Sequence, residues 1–203
     1  ALARSQAELV RLREIESDYR RIAALVDYTN AFDTQETVTA EVIGYDPNAL
    51  LRTIIINVGS RNGITTDMPV VTQQGLIGRV IKVTDNASQV LLIIDPNSNV
   101  SSRLQTTRAQ GTIEGLLAGN LRMRLIPLDA DVQVGDIVLT SGLGGNFPAD
   151  VPIGQITSRR QFESELYQTA EVRSFVDFDR LEFVLVVTNF QPVDLSVFED
   201  DEE

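Results

Sequence analysis

The chain has no cysteine, no histidine and no tryptophan, and its seventeen basic residues include one lysine, Lys82. Without cysteine there can be no disulfide, thiolate metal site or cysteine nucleophile. Without histidine the commonest general base and the commonest transition-metal ligand are both missing, which weighs heavily against an enzyme. Without tryptophan a sugar-binding or headgroup-binding aromatic platform loses its best residue. No run approaches the roughly 18–20 consecutive apolar residues that a membrane-spanning helix needs.

What is present is acidic and unevenly spread. The formal charge is −12, and the tail from Asp194 adds Glu199, Asp200, Asp201, Glu202 and Glu203 with no base among them. Such a terminal run of like charge reads as a solvated end, here residues 193–203. An acidic chain repels phosphate backbones, so nucleic acid is not expected as a partner.

Most of the stretch Val134–Gly154 (VGDIVLTSGLGGNFPADVPIG) is written a second time upstream, as GITTDMPVVTQQGLIG over Gly63–Gly78. The echo extends outward on both sides. Thr39–Tyr45 and Arg52–Val58 are matched by Gly111–Leu117 and Arg122–Leu128, and the run Val90–Ile94 has its expected counterpart in Leu181–Val187. A repeat offset of roughly seventy to eighty residues in a β pattern suits a pair of small barrels better than a solenoid.

The fold class expected is therefore mainly β: an N-terminal coiled-coil helix over 1–30, a linker over 31–37, and two small β-barrels of similar topology over 38–96 and 97–192. Expected strands are 38–45, 51–58, 69–73, 75–84 and 89–94 in the first unit. In the second they are 99–105, 110–117, 121–128, 136–140, 151–160, 167–176 and 181–189. Gly and Pro punctuate them at Asp46-Pro47, Gly63, Asp95-Pro96, Gly119 and Gly142–Phe147. Barrel closure would hide the edges of such apolar strands as Ile54–Ile56.

In the helix, Leu12, Ile15, Tyr19, Ile22 and Val26 recur at spacings of three and four, a heptad seam flanked by charges of alternating sign. An amphipathic helix packed on its own domain would carry a similar stripe. The narrow stripe and terminal position favour a dimeric pairing, with these five residues as the dimerisation seam. The chain begins with Ala1 inside a helical pattern, which suits two readings: a boundary that cuts the helix, or a membrane anchor upstream of Ala1.

The glycine-rich run Thr140–Gly145 invites two chemical readings. A phosphate cradle wants a helix after its glycines and commonly a lysine, yet Asn146-Phe147-Pro148 follows. A trypsin-like-fold hydrolase using Ser141 is the alternative function, but its nucleophile has no histidine and would need Lys82 from the other unit. The paired acids Asp129/Asp131 and Asp177/Asp179 do not continue as a calcium loop and read as turn caps, as does Asp136. No cofactor, no metal and no catalytic residue is expected. Aromatics beside arginines in loops have the composition of a protein-binding hot spot, so Phe147, Arg159, Arg160, Phe162, Tyr167 and Phe175 are the candidate partner-binding residues. Phe162 lies beside Arg159-Arg160, with Leu166 and Phe178 as further exposed apolar candidates. The other reading is that such aromatics plug the barrel ends.

Taken in order, the coiled-coil lead-in, AEVIGYDP at Ala40–Pro47, INVGSRNG at Ile56–Gly63, GLIGRV at Gly75–Val80, GDIVLTSGLGG at Gly135–Gly145, Phe147-Pro148 and Ile153-Gly154 resemble the bacterial rod-shape-determining MreC family over about residues 1–190. The resemblance implies a single-pass protein of the cytoplasmic membrane whose coiled coil and barrels lie on the periplasmic, extracytoplasmic face. It implies a non-catalytic scaffold of the cell-elongation machinery, forming homodimers or filaments. Its implied partners are a penicillin-binding transpeptidase that builds peptidoglycan, the membrane protein MreD and the actin-like MreB. Family barrels are said to be trypsin-like without a triad, in keeping with the missing histidine. Ala149-Asp150, where a glycine often follows Phe-Pro, and Ser174-Phe175, where a proline is common, depart from the family run.

Overall fold

A computed structural model describes residues 35–45, 51–161 and 165–192. The expected helix over 1–30 with its seam, Phe162, and the acidic tail 193–203 lie outside the described residues. No helix among the described residues is long and apolar enough to cross a membrane.

The described chain is built from β1 (Thr37–Tyr45), β2 (Thr53–Ile56), β3 (Pro69–Thr72), β4 (Gly75–Val83), β5 (Ser88–Leu92), β6 (Asn99–Leu104), β7 (Gln110–Gly115), β8 (Leu121–Pro127), β9 (Ile137–Thr140), β10 (Pro152–Arg160), β11 (Tyr167–Ser174) and β12 (Phe183–Val187). Each lies within about two residues of an expected strand, because Gly, Pro and Asx turns end the apolar runs where the chain must reverse. All pairings are antiparallel, and the strands close two barrels, β1-β12-β3-β4-β5-β2 and β10-β11-β8-β7-β6-β9. Ile54, Ile56, Leu76, Ile77 and Val90 fill the first interior, and Leu104, Ile113, Met123, Ile126 and Ile153 fill the second.

The internal echo is real, but its last correspondence is corrected. Around the rings, the first barrel reads β1-β2-β5-β4-β3-β12 and the second β7-β8-β11-β10-β9-β6. The repeated unit is thus five strands, and β5 corresponds to β11, not to Leu181–Val187. The sixth place is filled by the preceding strand β6 in the second barrel and by the C-terminal β12 in the first. The expected division at 96/97 with everything downstream in the second barrel is therefore wrong for 181–189. The first barrel is discontinuous, and the second is an insertion within it. Equivalence of the copies reaches single bonds. The Asp67 N–H donates to the Val80 carbonyl and the Gly135 N–H to that of Ile156, and the return bonds run from Val80 to Met68 and from Ile156 to Asp136.

The connection between barrels is a turn with a buried carboxylate at its centre. Asp95 is fully buried; its Oδ2 accepts from the Arg52 N–H at 2.6 Å and its Oδ1 from the Asn97 N–H at 2.7 Å. The Arg52 guanidinium then crosses to the second barrel, donating to the Leu117 carbonyl at 2.9 Å. Gly115 is pressed so close to this turn that a Cβ would stand 2.3 Å from the Ile94 carbonyl carbon, and one on Gly75 would stand 2.4 Å from the Pro152 oxygen. Only glycine permits backbones to approach like this.

Candidate functional site

The repeat assigns the glycine-rich run a place. In the first copy β3 and β4 are joined by residues 73–74; in the second, β9 and β10 are joined by residues 141–151. The longer connection is an elaborated hairpin turn. The Thr140 hydroxyl, fully buried, donates to the Pro148 carbonyl at 2.6 Å and accepts from the Val151 N–H at 2.9 Å, pinning both ends. Gly142, Gly144 and Gly145 take positive φ between these pins.

Two candidates change meaning here. The Ser141 Oγ accepts the Leu143 N–H at 3.2 Å within the turn, and Lys82 is exposed on β4 of the other barrel, so nothing described places a base beside it. Phe147, expected as a binding residue, is 6% exposed. It is the apolar plug on which the loop folds back, and it has no free face for a partner; Phe178 is likewise buried. Of the acids expected to cap turns, Asp177 and Asp136 do so, whereas Asp131 accepts from the Gln133 side chain. Asp177 accepts from the Asp179 N–H and Asp136 from the Gln133 N–H, and no carboxylate cluster suited to a metal occurs among the described residues.

The exposed apolar side chains of the second barrel gather instead where β8 ends and β11 begins. Tyr167 faces Pro127 across this pair, and the register slips between Gln168 and Ala170. Opposite the slip, Leu125 has φ of 56° and is 48% exposed. A branched apolar residue in the left-handed region is rare; a bulge re-aims its side chain outward. Leu128, Leu166 (82% exposed) and Tyr167 stand exposed beside it in sequence and register. Beneath them the buried Gln168 amide donates to the Pro127 and Ala130 carbonyls at 2.8 and 2.7 Å, which holds the turn rigid.

Charges frame this surface in a cross-strand ladder. Glu114 on β7 faces Arg122 on β8, which faces Glu171 on β11. Arg124 reaches Glu114 at 2.8 Å and Arg160 reaches Glu171 at 3.4 Å. Arg160 on β10 is in register with Thr169, two residues from Tyr167, so the candidates Arg160 and Tyr167 share this end of the sheet, with exposed Arg159 adjacent. Phe175 is exposed too, but it lies beyond the opposite end of β11, roughly 26 Å from Tyr167 at 3.3 Å per residue. The six candidates therefore do not form one surface. Leu125 and Leu128 were missed, although the sequence carries a signal. In Leu121–Ile126 the in/out alternation breaks at Leu125-Ile126, where two apolar residues follow each other.

A family model, rod shape-determining protein MreC, barrel core, matches residues 42–188. The curated relative from Listeria monocytogenes, a cell shape-determining protein MreC, is 31% identical over 191 residues, covering 92% of this chain and 64% of its own length. The Escherichia coli K12 relative of the same name is 29% identical over 186 residues, covering 89% and 49%. The chain thus spans about half to two thirds of the length of these relatives. A solved MreC from Listeria monocytogenes superposes with a TM-score of 0.73 at 29% identity, covering 96% of this chain and 97% of that one. The major periplasmic domain from the cell shape-determining filament MreC, in an orthorhombic form, gives 0.67 at 26%, with coverages of 75% and 95%. A complex between penicillin-binding protein (PBP2) and MreC from Helicobacter pylori gives 0.61 at 20%, covering 76% and 99%, a likeness of fold.

Proposed function

Because the chain belongs to the rod shape-determining MreC family, we propose that it is a non-catalytic scaffold that maintains cell shape by holding peptidoglycan synthases through protein–protein contacts. The observation that carries this reading is the strained Leu125 bulge with its exposed neighbours Leu128, Leu166 and Tyr167. Rigid apolar anchors rimmed by arginines are what a protein partner uses as a hot spot. The partner is a penicillin-binding transpeptidase, in line with the complex known for the Helicobacter pylori MreC. The barrels work on the periplasmic side of the cytoplasmic membrane, in line with the periplasmic domain named for a relative. MreD and MreB complete the assembly, and the Leu12–Val26 seam brings two chains together as a coiled coil.

Ser141 takes no part, since its hydroxyl is engaged by its own turn. The test is shape rescue in cells depleted of the native protein. The protein carrying Arg160→Ala, Leu166→Ala and Tyr167→Ala is expected to accumulate normally and leave the cells round. Rods of normal width with that triple variant would refute the proposal.

A further inference from the structure

On the first barrel, β12 and β3 separate before β12 ends. Two pairs join them, Leu185 with Val71 and Val186 with Val70. Continued, the register would set Val184 opposite Thr72 and, as the next hydrogen-bonded rung, Phe183 opposite Gln73, but β3 stops at Thr72, and Gln73 and Gln74 turn the chain into β4. The turn is held by the Gln74 N–H on the Thr72 hydroxyl at 3.2 Å.

On its other side β12 stays paired with β1 down to Phe183–Glu41. The Val42 N–H donates to the Glu182 carbonyl at 2.9 Å, which makes Glu41–Phe183 a non-hydrogen-bonded pair. The N–H and C=O of Phe183 therefore point away from β1. They face a groove of about 610 Å³ lined by Thr39, Thr72, Gln73, Gln74, Phe183 and Leu185. An open rung of this kind is a template for another strand. Closing a barrel normally removes such edges, and here the closure is incomplete by one rung.

The side chains around the rung fit the same kind of occupant. Phe183 stands 62% exposed at the rim, where an apolar side chain of a visiting strand would lie against it. Glu182 is exposed beside it and Asp177 lines the same groove, whereas the one base there, Arg180, lies 3.8 Å from Asp177. The balance is acidic.

We propose that this open rung of the first barrel docks an extended peptide segment of a partner protein, one that alternates apolar with basic residues. The segment completes the ladder through the Phe183 backbone, as in strand addition at sheet edges, and its basic side chains meet Glu182 and Asp177. The site lies on the other barrel from the Leu125–Tyr167 surface and stands independently of that surface's role.

The probe is a fluorescein-labelled, capped pentapeptide, Lys-Val-Lys-Val-Lys, titrated with the 203-residue chain at low salt and followed by anisotropy. Saturable binding is expected, with amide resonances of Phe183 and Gln74 shifting in a nitrogen-15 spectrum. A peptide with proline at its centre loses a backbone donor and is expected to bind at least about threefold more weakly. Glu182→Lys is expected to weaken the parent peptide roughly threefold with an unchanged unfolding midpoint. Absence of saturable binding, equal affinity for the proline peptide, or shifts confined to other strands would overturn the proposal.

Discussion

Arg103 on β6 is buried, and its guanidinium is paired with Asp150, an exposed residue whose backbone sits at φ of 68° in the long β9–β10 connection. The pair runs through Nη2 of Arg103, and its buried Nη1 has no hydrogen-bond partner among the described residues. The pair ties the folded-back loop to β6 of the second barrel. The carboxylate holds the buried cation in exchange for a strained backbone. Asp150→Ala is expected to lower stability by about 2 kcal/mol, because it strands a buried guanidinium and keeps the strain. Asp150→Gly is expected to lower it by roughly 1 kcal/mol less, since glycine accepts positive φ. Urea midpoints equal to the parent for both variants would show that the pair contributes nothing.

The joint between barrels gives a second expectation. Gly115→Val places side-chain atoms inside the Ile94–Asp95 turn, where even a Cβ would stand 2.3 Å from backbone. Overpacking of this kind costs about 1–3 kcal/mol, and here the joint yields before either core does. Spin labels placed one on each barrel should report a broadened distance distribution, with both cores intact by circular dichroism. An unchanged, narrow distribution would mean that the turn does not fix the joint.

The insertion topology predicts unequal autonomy. Residues 97–176 hold every strand of the second barrel and are expected to fold alone in one cooperative transition. A chain ending at residue 180 lacks β12, so the first barrel keeps two unpaired edges on β1 and β3. That chain is expected to show the second barrel's transition and to aggregate through the first. Two intact transitions in the truncated chain would contradict the pairing.

The coiled-coil proposal is tested on the seam itself. Ile15→Asp with Ile22→Asp would put charge at two seam positions of the proposed helix pair. Sedimentation equilibrium is expected to give a dimer for the parent chain and a monomer with folded barrels for the variant. A dimer that survives both changes would place self-association elsewhere.

How much of this was legible in the sequence depended on the range of the signal. The strands were readable because their ends are set locally, by Gly63, Asp95-Pro96, Gly119 and their like. The five-strand repeat was readable because turn chemistry such as Asp67 and Gly135 was retained in both copies. The place of β12 was not. A short apolar run such as Phe183–Val187 fits any open seam, and its partner β1 lies far away along the chain, beyond what a periodicity reports. Phe147 misled for a related reason: an aromatic in a glycine-rich loop looks the same whether it projects or folds back, and Thr140 decides which. Tyr167 and Arg160 were found from composition, whereas Leu125 needed the bulge that turns it outward.

The proposed surface for the synthase is the β8–β11 end of the second barrel. The most direct test is the affinity of the 203-residue chain for the extracytoplasmic part of its cognate penicillin-binding transpeptidase, measured for the parent and for Leu125→Ser with Tyr167→Ala. A loss of at least about thirtyfold is expected, the scale of a hot spot worth about 2 kcal/mol, with both barrels folded and with Glu182→Lys binding as the parent does. Unchanged affinity in the double variant would contradict it.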